Sequence, residues 1–157
     1  MNEPAIIFRT TVAEQWIDYN NHMTEHAYSL VFGQAIDAFV RQHGIGRDYC
    51  ERTGCTVYTL TSQINFVREA KLGVGLEVDL LMLDAADSVM HVFQTMHDPQ
   101  RQLKATYEAV IAHVNQRPHP KVAPFPPNVQ QAFRDLQRRQ AVLGRPARAG
   151  LSVGIRR

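Results

Sequence analysis

Eight consecutive residues, Trp16-Ile17-Asp18-Tyr19-Asn20-Asn21-His22-Met23, bring together a carboxylate, two side-chain amides, an imidazole and two aromatic rings. They stand immediately before a segment with the apolar spacing of a long helix. The first turn of a helix presents unpaired N–H groups and positive potential. An acid beside such an end can attack a carbonyl or activate water, while the N–H groups stabilise the negative charge that develops on oxygen. Asp18 and Asn20 are also residue types that cap and turn a chain before a helix, and the sequence alone leaves both roles open.

The element that must hold this stretch runs from Thr24 to His43. Tyr28, Val31, Phe32, Ala35, Ile36, Phe39 and Val40 draw one apolar stripe down a helix. Thr24 suits the N-cap, Glu25 the positive first turn, and Gly44 the left-handed position after the last turn. A helix with one apolar face needs a sheet to cover it. Ile6 to Val12 is a strand candidate upstream. Downstream, Val57–Val67 alternates, with Tyr58, Leu60, Ile64 and Phe66 expected on one face and Thr59, Thr61, Gln63 and Asn65 on the other. Val74–Leu83, Ser88–His97 and Gln102–Val114 follow, separated by turn residues, as an antiparallel meander. Pro118, Pro120, Pro124, Pro126 and Pro127 make an extended connector to a second helix at about Asn128–Val142. The predicted class is α+β, one long helix wrapped by a curved antiparallel sheet of about five strands plus a C-terminal helix; this is the hotdog arrangement, and other α+β layouts fit the same order of elements. Residues 1–127 form the predicted domain, 128–143 the added helix, and 144–157 a basic, mobile tail.

Size and charge bound the partners. A chain of 157 residues can hold a core without disulfide or metal staples. The net charge of +2 is unevenly divided: residues 134–157 hold seven arginines against one acid, and residues 1–133 hold ten bases against fourteen acids. The N-terminal part is therefore acidic and the tail basic. An arginine-bearing tail alone does not point to nucleic acid. The opening residues lack the pattern of a signal peptide, and no apolar run approaches the ~20 residues of a membrane-spanning helix. Cys50 and Cys55 match neither a zinc knuckle nor a redox pair, which predicts a reduced, cytoplasmic protein. His22 and His26 are four apart, but the helix start falls between them, so no metal site is expected. Trp16, Tyr19, Tyr28 and Tyr58 suit either an aromatic cage for a quaternary ammonium group or ordinary packing.

The segment from Trp16 to Met23 resembles the Asp-x-x-Gly-His-Val signature of hotdog acyl-CoA thioesterases in the 4-hydroxybenzoyl-CoA thioesterase superfamily. Asp18 falls on the catalytic aspartate and His22 on the signature histidine. The likeness runs through Tyr28, Phe32, Ile64-Asn65-Phe66 and Arg68-Glu69-Ala70-Lys71-Leu72-Gly73 to His113-Val114-Asn115, covering about residues 5 to 127. The Trp-x-Asp-Tyr-Asn-x-His-Met version looks most like the thioesterases of carnitine and betaine breakdown. Asn21 stands where the signature has glycine, and Thr61 and Gln63 stand where those relatives carry an acidic residue and a histidine.

The resemblance implies hydrolysis of a small or polar acyl-CoA to free acid and coenzyme A, without a cofactor. Asp18 would act as nucleophile or general base, His22 would orient it or the substrate, and the first-turn N–H groups around Glu25 and His26 would hold the oxyanion. Asn20, Tyr28, Thr61, Gln63, Arg68 and Lys71 are the expected substrate-binding residues. The family also implies a homodimer or homotetramer that pairs sheet edges, with Thr61 and Gln63 reaching the site from a partner subunit. Two alternatives are an enoyl-CoA hydratase on the same fold and a non-catalytic acyl-CoA-binding module. The hydratase pattern Asp-x-Asn-Pro-x-His lacks its proline here, and the histidine comes one residue early.

Overall fold

The computed structural model of the chain describes residues 3–157. Helix α1 (Glu25–Gln42) forms on the predicted stripe and buries Ala27, Tyr28, Val31, Phe32, Ala35, Ile36 and Phe39. Gly44, at φ +77°, turns the chain out of the helix in the left-handed region that glycine enters without steric cost. The strands are β1 (Ile6–Thr11), β2 (Cys55–Phe66), β3 (Gly75–Ala85), β4 (Val89–His97), β5 (Leu103–Asn115) and the two-residue β6 (Lys121–Val122). They pair antiparallel in the order β1-β3-β4-β5-β2, with β6 added to β5. One face of this sheet packs on α1 through Leu76, Val78, Leu80, Met90, Val92, Ala109 and Ile111, which join the helix stripe in one core. This is the hotdog arrangement expected from the order of elements.

The face assignment along β2 needs correction. Its register with β5 slips between Thr59 and Thr61, so Leu60 is an extra residue in the strand. A bulge shifts the alternation by one position. Tyr58 therefore shares a face with Thr61 and Gln63, whereas Thr59 turns with Ile64 toward α1. Thr61 and Gln63 stay on one face, as expected. A short helix, α2 (Arg47–Thr53), lies between α1 and β2 and was not foreseen; it has no buried residue and so no apolar stripe to reveal it.

Helix α3 (Pro127–Gln140) starts with proline at its first position and buries Val129 and Phe133. Phe133 stacks on Phe39 with ring centroids 5.5 Å apart and meets Phe125 edge-on at 5.2 Å. Its last residue does unusual work at the sheet edge. The pairing of β1 with β3 reaches only Asp79, leaving the next backbone groups of β3 open. The Gln140 amide fills the gap, accepting from Met82 N at 2.7 Å and donating to Leu80 O at 2.8 Å, much as another strand would. Beyond α3, Gly150 N donates to Glu108 at 2.6 Å and Arg145 lies 3.7 Å from the same carboxylate. This part of the stretch expected to be mobile thus meets the outer face of the sheet.

Candidate active site

The stretch from Trp16 to Met23 is a tight loop closed by its own backbone. Ile17 bridges Met23, Asp18 N donates to His22 O at 3.3 Å, and Asn21 N donates to Asp18 O at 3.0 Å. Two further bonds fix it to the fold: Met23 N to Ala70 O and Thr24 N to Trp16 O, both 2.8 Å. Asn21 takes φ +64°, a left-handed conformation that asparagine tolerates better than most residues. That is why an amide can stand here in place of the signature glycine.

Asp18 is half-buried, and its carboxylate accepts the Asn20 N–H at 2.8 Å and Asn20 Nδ2 at 3.4 Å. Both functions left open by the sequence are thus compatible, since the turn engages the acid through the neutral Asn20 amide groups and Asp18 forms no ion pair among the described residues. The start of α1 is equally open. Thr24 occupies the N-cap with extended backbone, but its side chain makes no capping bond and instead lies 3.4 Å from His26 Nε2. The first-turn N–H groups of Glu25 and His26, which no intrahelical carbonyl can reach, therefore have no side-chain cap.

Beside this helix end lies a depression of about 330 Å³ lined by His22, Met23, Glu25, Tyr28, Phe66, Val67, Arg68 and Glu69. Tyr28 donates to Arg68 O at 3.4 Å and meets Phe66 edge-on at 5.2 Å. Burial pushes the Tyr28 phenol above its ordinary pKa and the Glu69 charge adds to this, outweighing a backbone hydrogen bond that acts the other way. His22 Nε2 is 3.5 Å from Glu69, which is also 3.7 Å from Lys71 Nζ. A second depression of about 470 Å³ shares Arg68 and Glu69 with the first and adds Lys71, Val74, Gln102 and Lys104. Three cations surround it. The two hollows adjoin, one beside the uncapped start of α1 and the other bordered by Arg68, Lys71 and Lys104.

The structure thus brings His22, Glu25, Tyr28, Arg68 and Lys71 into adjoining hollows, with Asp18 and Asn20 on the loop that leads to α1. It does not bring Thr61 and Gln63 to them within one chain. Those two line a separate hollow on the outer face of the sheet, with His91, Glu108 and Gly150. Glu69 is an ordinary charge in sequence; only folding sets it between His22 and Lys71. Among the described residues no group of His, Cys, Asp and Glu is arranged to hold a metal ion. No described helix is long and apolar enough to cross a membrane.

The model of the Thioesterase-like superfamily matches residues 12–133, a span that includes the Asp18 loop, α1 and the whole meander. The chain belongs to this superfamily. Among curated relatives it is 34% identical over 155 residues to the L-carnitine dehydrogenase/betainyl-CoA thioesterase of Rhizobium meliloti strain 1021, aligning 98% of this chain with 31% of that protein. The chain thus spans about a third of that relative's length. It is 28% identical to the betainyl-CoA thioesterase of Pseudomonas aeruginosa, covering 99% of this chain and 98% of the other. In structure it is similar to the Staphylococcus aureus protein SAV2348, solved in complex with CoA, with a TM-score of 0.89 at 24% identity over 98% and 97% of the two chains. A thioesterase candidate from Pseudomonas putida KT2440 superposes with a TM-score of 0.84 at 27% identity over 99% of both chains. The expected resemblance to hotdog thioesterases is borne out for the family, and the curated relatives it matches carry the carnitine- and betaine-linked names that the resemblance pointed to.

Proposed function

We propose that the chain hydrolyses a short, polar acyl-CoA thioester to the free acid and coenzyme A, betainyl-CoA being the first substrate to test. The observation that carries this reading is an Asp18 carboxylate bonded only to Asn20 among the described residues, on the loop that runs directly into the uncapped first turn of α1. The names of the relatives support the substrate class. Family membership supports the reaction.

In the nucleophilic route, an Asp18 oxygen attacks the thioester carbon and the N–H groups of Glu25 and His26 hold the resulting oxyanion. The C–S bond breaks, coenzyme A leaves as thiolate and takes up a proton, and water then cleaves the mixed anhydride to restore Asp18. In the general-base route, Asp18 takes a proton from water as that water attacks the same carbon. His22, held against Glu69, orients the acid or the substrate. Arg68 and Lys71 meet the phosphates, Tyr28 and Asn20 flank the thioester, and no cofactor takes part. The protein works as a homodimer or homotetramer joined along the outer edge of β2, which has no strand partner among the described residues, and this would bring Thr61 and Gln63 toward a partner's site.

Thiol release from betainyl-CoA and short acyl-CoA esters tests the reaction directly. Release within the panel, abolished by Asp18→Asn, is the expected result. No release from any ester, together with hydration of crotonyl-CoA, would replace this reading with a hydratase. Running the reaction in ¹⁸O water under single turnover separates the two routes, because label enters Asp18 only by way of an anhydride.

A further inference from the structure

Three guanidinium groups without a counter-ion meet where α1 hands over to α2. Arg41, Gly46, Arg47, Asp48, Tyr49 and Arg52 line a hollow of about 200 Å³ at this junction. Neither Asp48 nor any other carboxylate of the described residues pairs with the three arginines. Elsewhere in the acidic part of the chain Arg9, Lys71, Arg101 and Lys104 each have a carboxylate partner. The local fold fixes the arrangement. A Cβ on Gly46 would come 3.1 Å from both Cα and Cβ of Arg41, so only glycine lets the start of α2 pass this close to the last turn of α1. Arg52 lies over the Tyr49 ring, 6.0 Å from its centroid. That ring is anchored in turn: its hydroxyl donates to His113 Nε2 at 2.9 Å, and the buried His113 donates from Nδ1 to Ala123 O at 2.9 Å. Arg41 suits the negative end of α1, and Asp48 suits the first turn of α2. Arg47 has no such reason to be where it is. As the first residue of α2 it stands at the positive end of that helix, where a cation is disfavoured.

We propose that this hollow binds a phosphate group, either as inorganic phosphate or as the phosphate of a nucleotide. Charge sets the ligand: three arginines and one aspartate leave the lining at +2, which a dianion neutralises. The donors agree with it. Guanidinium forks match phosphate oxygens in bidentate pairs, and three forks offer more N–H groups than the two oxygens of one carboxylate accept. The hollow has room for one tetrahedral group and a few waters of about 30 Å³ each, so the base and sugar of a nucleotide would stay outside. Arg41 is 16 residues beyond Glu25, about 24 Å along the helix axis. The site is therefore remote from the same chain's Asp18 loop and stands whether or not the thioester reading does.

The test titrates inorganic phosphate into the full chain, with sodium chloride at matched ionic strength as reference. Phosphate should bind saturably at one site per chain and raise Tm, because a ligand held only by the folded state stabilises it. Arg47→Ala and Arg52→Ala should each weaken binding at least tenfold, and Tm without phosphate separates lost binding from lost fold. Asp48→Asn, which removes the opposing charge, should tighten it by about threefold or more. Adenosine 3′,5′-bisphosphate distinguishes the two sources. Arg47-dependent binding tighter than that of inorganic phosphate assigns the site to a nucleotide, and binding no tighter assigns it to free phosphate. No saturable binding, equal stabilisation by chloride, or an affinity untouched by Arg47→Ala would overturn the proposal. Phosphate binding lost in Arg68→Ala but intact in Arg47→Ala would also overturn it, by placing the anion in the hollow beside Glu69. None of these readings depends on thioester turnover.

Discussion

The Asp18 carboxylate accepts the Asn20 backbone N–H at 2.8 Å, which makes one side chain both the keystone of a turn and the proposed attacking group. The two duties separate in Asp18→Asn. An asparagine Oδ1 can accept the same N–H, so the turn should persist and stability should change by less than about 0.5 kcal/mol. The nucleophile or base is lost, and kcat should fall by roughly 10²- to 10⁴-fold. Steady-state kinetics with a thermal melt on the same sample checks both halves. An undiminished kcat in a folded variant would remove Asp18 from the chemistry.

Arg68 and Lys71 flank the hollow that continues from the reaction centre, and Arg68 forms no side-chain ion pair among the described residues while Lys71 is held by Glu69. Each lost charge-assisted bond to a phosphate is worth about 1.5 kcal/mol, or roughly tenfold in affinity. Arg68→Ala and Lys71→Ala should therefore raise KM by about that factor with a smaller change in kcat. Added salt should raise KM more in wild type than in the variants, since screening acts on charges the variants no longer have. A fall in kcat at constant KM would assign these residues a different task.

Gln140 reaches across from α3 to bond Met82 N and Leu80 O where β1 has ended. Replacing it with alanine leaves a donor and an acceptor of a strand edge unpaired, which costs about 1–3 kcal/mol. Gln140→Glu keeps an acceptor for Met82 N but sets a carboxylate oxygen against Leu80 O, so it should rescue little. Chemical denaturation of the two variants checks this, and a loss confined to Gln140→Ala would show that the bond to Leu80 contributes nothing.

The long-range plan was readable because it depends on periodicity. The stripe from Tyr28 to Val40 and the spaced turns of the meander report one helix face and four strands directly, and the Asp18 loop announces itself by residue types packed into eight positions. What escaped depends on contacts between segments far apart in sequence. The bulge at Leu60 is a register event between β2 and β5, and nothing in Tyr58–Gln63 distinguishes it from plain alternation. Helix α2 is seven residues long and buries none of them, so it carries no period. Glu69 and Gln140 are unremarkable residue types until folding sets them against His22 and β3. Thr61 and Gln63 share one face, as their spacing predicts, but line a hollow apart from the Asp18 loop, a separation that spacing along one strand cannot report.

Asp98 shows how a turn can store pH dependence. Its carboxylate accepts the N–H groups of Gln100 at 3.1 Å and Gln102 at 2.9 Å, and it pairs with the nearly buried Lys104 at 3.3 Å. Burial alone would raise its pKa, but the Gln102 bond and the Lys104 ammonium outweigh that and hold it below the usual carboxylate range. A carboxylate whose pKa is depressed by folding adds stability above its unfolded pKa, about 3.9, and loses it as pH falls through the lower folded value. Asp98→Asn can still accept the two N–H groups but brings no charge to Lys104. Wild type should therefore melt at higher temperature than Asp98→Asn at neutral pH, and the gap should close as pH falls below about 4. Melting curves between pH 3 and pH 7 measure it. A gap that stays constant across this range would mean that the turn bonds, and not the ionised pair, account for the stability Asp98 contributes.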